Sequence, residues 1–229
     1  MSTRREHPRL LLLAGFAFAG AAILAAAAFA FVQIYKNPFN NRSQYNEIQK
    51  VSGKKCGRAF KEERELMQVK AREGPASCSY KLPVQGSGPR PDHRFDAEAR
   101  LLRDTHSSIR EDAYLSMGLR VGSGKRYELR VDSKDREFEL RRKPGGAMFP
   151  VAGHNGAITG VGRLNRLRLI AVNDRIRAFV NGTKVADVVD PSPGQVDGAK
   201  VYFGVGNQKQ TGRKTIANFD LLRLKVPTP

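Results

Sequence analysis

The sequence predicts an all-β sandwich carried behind one membrane-spanning α-helix. Three observations predict it. Residues 10–32 form an uncharged run, apolar and polar residues alternate with period two from Arg94 onward, and Gly-, Asn- and Asp-rich turns separate the alternating runs at short intervals.

The first nine residues carry Arg4, Arg5 and Arg9 against Glu6 alone. The next 23 residues hold no charge and are rich in Leu, Ala and Phe. At about 1.5 Å per residue, a helix of that length crosses a hydrocarbon core about 30 Å thick. The arginines ahead of the run place residues 1–9 in the cytoplasm and everything after the span outside it. Tyr35 suits the far interface, so the span is read as residues 10–35. A cleaved export signal is the alternative, with small residues at Ala26, Ala28 and Ala30, although the run exceeds the usual length of such a core. Both readings deliver the domain to the non-cytoplasmic side.

Residues 36–55 read as a polar, Asn-rich juxtamembrane linker. Residues 56–229 then form the sandwich domain. Residues 57–72 are charged enough for a helix, but Leu66, Val69, Tyr80, Leu82 and Val84 fit short strands on either side of Gly74-Pro75. Strands are expected there. Cys56 and Cys78 are the only two cysteines, and in an exported domain they suit one disulfide; two free thiols are the alternative.

Phe95, Ala97, Ala99 and Leu101 alternate with charged residues, and residues 114–121 follow as a second run. Tyr127, Leu129 and Val131, then Phe138 and Leu140, continue the pattern. Gly122-Ser123-Gly124, residues 132–135 and Pro144-Gly145-Gly146 supply turns. Residues 164–190 form the clearest unit, a three-stranded meander. Asn173-Asp174 closes its first hairpin, and Asn181-Gly182 closes its second in the type I′ form, which needs two residues that accept positive φ.

Net charge is +18, and only +2 of it lies in the first 35 residues. The folded part therefore favours polyanionic partners such as acidic glycans or anionic surfaces. Within the meander, Arg166, Arg168, Arg175 and Arg177 share one outward face if the first turn has two residues. Val172 would then oppose Arg175, and Ile170 would oppose Arg177. Guanidinium forks suit carboxylate, sulfate or phosphate, so these four are the candidate ligand-binding residues; a charged face kept wet for solubility is the alternative. His7, His93, His106 and His154 are not spaced as metal or catalytic pairs, and no metal or cofactor is expected. Asp132, Asp135 and Asp190 fall in loops without an EF-hand series.

The order of motifs carries a resemblance. Tyr-x-Leu-x-Val (127–131) leads to Phe-x-Leu-x-Arg (138–142), then Asn165-x-Leu167-x-Leu169 and Phe179-Val180-Asn181-Gly182. Asp190 precedes a Pro-rich loop, followed by Gly198, Val201-Tyr202-Phe203-Gly204 and Asn218-Phe219-Asp220-x-Leu222-x-Leu224. This resembles the concanavalin A-like lectin/glucanase superfamily over roughly residues 60–226, in particular its bacterial laminin G-like and 3-keto-disaccharide hydrolase-like modules. The resemblance implies a two-sheet antiparallel jelly roll, with the strand at 215–226 closing a sheet beside the first strands.

Members of that superfamily bind sugars, bind proteins or hydrolyse glycans. The Glu-x-Asp-x-x-Glu strand of the family 16 hydrolases is missing here. Glu137 and Glu139 are the nearest carboxylate pair, about 7 Å apart along a strand and answered by Arg136, Arg141 and Arg142. No catalytic residue is assigned. A non-catalytic module binding an acidic glycan, an envelope polymer or a partner protein is the leading expectation. A glycan hydrolase and a structural protein of the cell envelope are the alternatives. Nucleic acid is not the expected partner.

Overall fold

The computed structural model describes residues 30–52, 56–71, 76–84, 91–102, 113–146, 148–207 and 214–228. These residues form two antiparallel sheets packed face to face. The first sheet runs β13 (Thr183–Val189), β12 (Arg175–Val180), β11 (Asn165–Val172), β6 (His93–Leu101), β15 (Thr215–Pro227), β4 (Leu66–Ala71), β3 (Cys56–Lys61), and β1 (Phe31–Asn37) also pairs with β15. The second runs β10 (Val151–His154), β9 (Glu137–Lys143), β8 (Lys125–Asp132), β7 (Ala113–Gly122), β14 (Lys200–Asn207), β5 (Ala76–Lys81), β2 (Gln49–Ser52).

Period-two patterning sets the layers. Along β6, His93, Phe95, Ala97, Ala99 and Leu101 are buried and the residues between them are not. Opposite them, Leu115, Met117, Leu129, Val131, Phe203 and Val205 fill the other half of one core. Phe203 meets Phe219 edge to face across the sheets, with ring centroids 4.7 Å apart. In the meander, Val172 opposes Arg175 and Ile170 opposes Arg177, the register of a two-residue turn. Asn181 and Gly182 both take positive φ, at 50° and 87°, as a type I′ turn demands. The closing strand β15 lies between β6 and the early strands, joining β4 through its first half and β1 through its second.

The N-terminal boundaries are corrected. The segment read as the end of the span and as a linker is part of the sandwich. Phe31 to Asn37 is a strand hydrogen-bonded to β15, with Phe31 opposite Pro227 and Asn37 opposite Leu222. A short helix, α1 (Arg42–Asn46), follows, and β2 joins the second sheet. Phe39 and Ile48 are fully buried in the core. The buried Asn37 amide fixes this excursion. It donates to the Gln44 carbonyl at 2.8 Å, and its oxygen accepts from the Phe39 N–H at 2.9 Å. Most of the run at 10–32 lies outside the described residues, among which no helix is long and apolar enough to cross a membrane. Residues 57–71 contribute strands β3 and β4 joined by one 3-10 turn at Glu62–Arg64, not an α-helix.

The Cys56–Cys78 disulfide joins β3 of the first sheet to β5 of the second. Buried polar clusters tie the loops to this frame. Arg142 points inward from β9 and donates to Asp190 at 3.1 Å, while Tyr127 donates to the other Asp190 oxygen at 2.5 Å. Arg120, also buried, donates to Asp92 at 3.0 Å and to the Asn173 carbonyl at 2.8 Å, locking the first meander turn.

Candidate functional site

Two outward faces carry clustered chemistry, one on each sheet. On the first sheet the four arginines predicted from the meander do share a face. Arg168 stands opposite Phe179, with its guanidinium 5.8 Å from that ring. Strands paired on both sides then answer the charge. From β6, Asp96 accepts from Arg168 at 2.6 Å and from Arg94 at 2.9 Å, and Glu98 meets Arg166 at 3.5 Å. From β13, Asp187 takes both prongs of Arg175 at 2.7 and 2.9 Å, and Lys184 at 2.8 Å. The hydrogen bond from Arg175 lowers the Asp187 carboxyl to about 2 despite slight burial. Arg177 lies opposite Asp187 in the register. The predicted basic face is therefore a ladder of alternating charge.

An open groove of about 450 Å³ crosses this face from β15 over β6 and β11 to β12. Arg166, Arg168, Asp96 and Glu98 give it polar walls, and Phe179 and Leu221 give it apolar surface.

The second sheet presents a face that the sequence reading did not single out. Register places Tyr202 beside Gly118, Gly206 beside Tyr114, and Glu128 between Gly118 and Arg141. The glycines are there because rings lie flat on them. A Cβ on Gly118 would stand 2.1 Å from the Tyr202 ring, and one on Gly206 would stand 2.3 Å from Tyr114. Arg130 covers the Tyr114 ring at 4.3 Å, and Arg126 lies 5.6 Å from the Tyr202 ring centroid.

Glu128 sits between these layers with a side chain only 1% exposed. Arg126 and Arg130 each reach a different oxygen at 3.2 Å. Burial opposes its charge, but Arg130 and Arg126 together outweigh burial and hold the carboxyl below its ordinary range. Beyond it, Lys143 stands opposite Arg126, and Arg141 pairs with Glu139 at 3.4 Å. Arg126, followed by burial, pulls the Lys143 ammonium below its usual range, which is what an unbalanced positive field does to a lysine. At this end of the face Arg126, Arg130, Arg141 and Lys143 surround Glu128 and Glu139, and Asp132 and Glu137 pair in register at the other end.

Alternation did place Arg126, Glu128 and Arg130 outward, since Tyr127, Leu129 and Val131 face the core. What enclosed Glu128 was written elsewhere, in the Gly-x-Gly of β14 and the glycine of β7. Of the sequence pair Glu137 and Glu139, the latter is taken up by Arg141 and the former is exposed. Among the described residues, no group of three His, Cys, Asp or Glu side chains is arranged to hold a metal ion.

No family model matches the chain, and no curated protein matches it. Solved structures do match in fold. A protein of unknown function with a galectin-like fold from Bacillus subtilis superposes with a TM-score of 0.63 at 11% identity, covering 87% of this chain and all of its own. The β-glucanase of Bacillus licheniformis gives 0.59 at 10%, covering 85% of this chain and 98% of its own. The κ-carrageenase of Pseudoalteromonas carrageenovora, solved with a κ-carrageenan oligosaccharide, gives 0.57 at 9%, covering 92% and 100%. The jelly-roll sandwich of the galectin-like and glucanase proteins is thus shared by this chain.

Proposed function

We propose that the chain is a membrane-tethered, extracytoplasmic, non-catalytic module that binds an acidic glycan on the outward face of its second sheet. The supporting observation is the segregation of charge along β8 and β9: Arg126, Arg130, Arg141 and Lys143 cluster around Glu128 and Glu139 at one end of the face, while Asp132 and Glu137 stand opposite each other at the far end. Such a face attracts carboxylate- or sulfate-bearing polymers, and guanidinium forks bind those groups in two-pronged fashion. Glu128 supports binding over hydrolysis. A glycosidase acid needs a carboxyl whose proton is retained near neutral pH, and two arginines hold Glu128 in the opposite state. The tether rests on the uncharged run at 10–32, and the family-level reading remains a laminin G-like or 3-keto-disaccharide hydrolase-like module. Names printed for the fold's other members, among them a glucanase and a carrageenase, support a glycan as the ligand class.

The test is an array of acidic and neutral glycans probed with residues 30–229 at low and high salt. A fragment starting at residue 44 is unsuitable, because it loses β1 and the buried Phe39. Binding to acidic polymers that weakens with salt and with Lys143→Ala is expected; absence of binding at both salts refutes the reading.

One observation favours hydrolysis as the second reading. Burial pushes the Asp132 carboxyl up to about 6, and Asp132 stands opposite Glu137 in the register. Its Oδ1 caps the following turn, accepting from the N–H groups of Lys134 and Asp135 at 2.7 and 3.2 Å. Reducing sugar released by the purified domain and abolished by Asp132→Asn would establish that alternative.

A further inference from the structure

We infer that the end of the sandwich at which β1 enters docks on the bilayer surface and binds anionic phospholipid headgroups. The inference rests on the tether proposed above for bringing that end to the membrane.

Strand register defines the end. In the first sheet Phe31 stands opposite Pro227, Lys225 opposite Arg94, Ala171 opposite His93, and Val172 opposite Arg175, which in turn stands opposite Val189. The entry of β1, the Asn173-Asp174 turn and the end of β13 therefore lie together. Buried contacts tie the second sheet to them. Arg120 of β7 donates to Asp92 and to the Asn173 carbonyl, and Arg142 of β9 donates to Asp190. The turn between Gly122 and Lys125 and the loop after Lys143 are thus at the same end, as is Lys200 opposite Val121.

Exposed apolar side chains collect there. The large ones among the described residues are Val32, Ile34, Met148 and Val189, exposed by 49, 42, 51 and 53%. Val32, Met148 and Val189 lie at this end, and Ile34 follows on the β1 bulge. Among the described residues none lies at the opposite end, around Asp132 and Glu137. Single exposed apolar residues are ordinary on any surface, but their collection at one end marks an interaction site. Side chains of this kind enter the boundary between headgroups and acyl chains.

Charge points to the same occupant. Lys125, Lys143, Lys200 and Lys225 stand among these apolar residues. The acids nearby are fewer or already engaged. Asp92 holds Arg120, Asp187 holds Arg175 and Lys184, and Asp197 answers Lys125 at 3.5 Å, which leaves Asp174 in its turn. A leaflet of anionic lipid offers a plane of negative charge over an apolar layer, and each lysine close to it strengthens attachment about fivefold. A soluble polyanion would leave Val32, Met148 and Val189 without a partner. The run at 10–32 leads straight into β1, so docking is an intramolecular step, and contacts too weak to hold a free domain suffice. Docked in this way, the domain points Asp132 and Glu137 away from the bilayer.

The chain has no tryptophan, so a single introduced one reports alone. Met148→Trp and Val189→Trp replace exposed side chains at this end, and His154→Trp does so at the other, where His154 stands opposite Glu137. Each full-length variant is reconstituted into nanodiscs of neutral phosphatidylcholine, or of a mixture rich in phosphatidylglycerol, with bromine on the acyl chains as quencher. In anionic discs, quenching at 148 and 189 should exceed that at 154 at least about threefold. It should fall at least about twofold in neutral discs, in high salt, or when Lys200→Glu and Lys225→Glu are added. Quenching at 148 and 189 no greater than at 154 overturns the inference, as does quenching indifferent to lipid charge. Emission at 148 and 189 that shifts with protein concentration in detergent assigns this end to a second copy of the chain and also overturns it. The tether is read separately, by whether the full chain stays in neutral bilayers at high salt. Release there refutes the tether, and the comparison of the three positions in anionic discs still decides the docking.

Discussion

His93 makes the stability of this domain depend on acid in a way that can be isolated. Its ring lies on the core side of β6 with no exposed surface, and neither ring nitrogen has a hydrogen-bond partner among the described residues. Burial first, and Arg120 second, lower its pKa from 6.5 to about 4, with Asp92 acting the other way. Above pH 6.5 the imidazole is neutral folded and unfolded, and it contributes no pH dependence. As pH falls below 6.5 the unfolded chain takes up a proton that the fold refuses, so stability declines until about pH 4. The total loss across that window is about 3 kcal/mol. Asp132 runs the other way: its folded carboxyl is raised to about 6 from 3.8, so acidification through that range adds stability. The wild-type profile alone is therefore a poor readout, and the difference from His93→Leu is the proper one. Leucine has a similar volume and removes two unpartnered nitrogens, so at pH 7 the variant should be as stable as wild type or more so. Urea unfolding at several pH values from 7.5 to 4, with the disulfide intact, should show the variant gaining about 3 kcal/mol over wild type by pH 4. Parallel curves for the two proteins would refute the reasoning.

Three further outcomes follow from contacts in the two sheets. Replacing both Cys56 and Cys78 with serine frees a loop whose ends are 22 residues apart, and should cost about 3 kcal/mol in denaturant unfolding. Glu128→Gln removes the carboxylate between Arg126 and Arg130 and leaves two guanidiniums confined together; a loss of roughly 3 kcal/mol in the same assay is expected. Gly118→Ala drives a methyl into the Tyr202 ring and should cost about 1–3 kcal/mol, whereas Gly182→Ala, with open space around its Cβ, is penalised only by its positive φ.

Much of the sandwich could be read directly from alternation, because one wet and one dry face impose period two on strands such as β6 and β9, whereas β7 and β14 are buried on both faces. The meander even gave its register, since a two-residue turn dictates which residues stand opposite. The N-terminal boundary could not be read. Phe31, Val32 and Ile34 continue an apolar run that already looks membranous, and their strand character comes only from hydrogen bonds to β15, almost two hundred residues away. Phe39 and Ile48 were isolated apolar residues in an Asn-rich segment, with no period to show that they fill the core. The same distance in sequence hid the balance of charge. Arg168 looked free within the meander, but its carboxylate partner Asp96 lies 72 residues earlier on β6. Conversely, Glu128 looked like an ordinary outward residue until glycines on β7 and β14 allowed two tyrosines to lie down around it.

β1 begins at Phe31, so the proposed tether would lead straight into a strand of the sandwich. The Thr228 N–H donates to the Ala30 carbonyl at 2.8 Å, so the sheet grips the chain from the first described residue. A bound polymer dragging on the module would load β1 along its own axis. The rungs joining it to β15 would then share that load simultaneously instead of opening one by one. If the run at 10–32 is the tether, the strand would act as a mooring and would restrict capture to polymers lying within one domain's breadth of the bilayer.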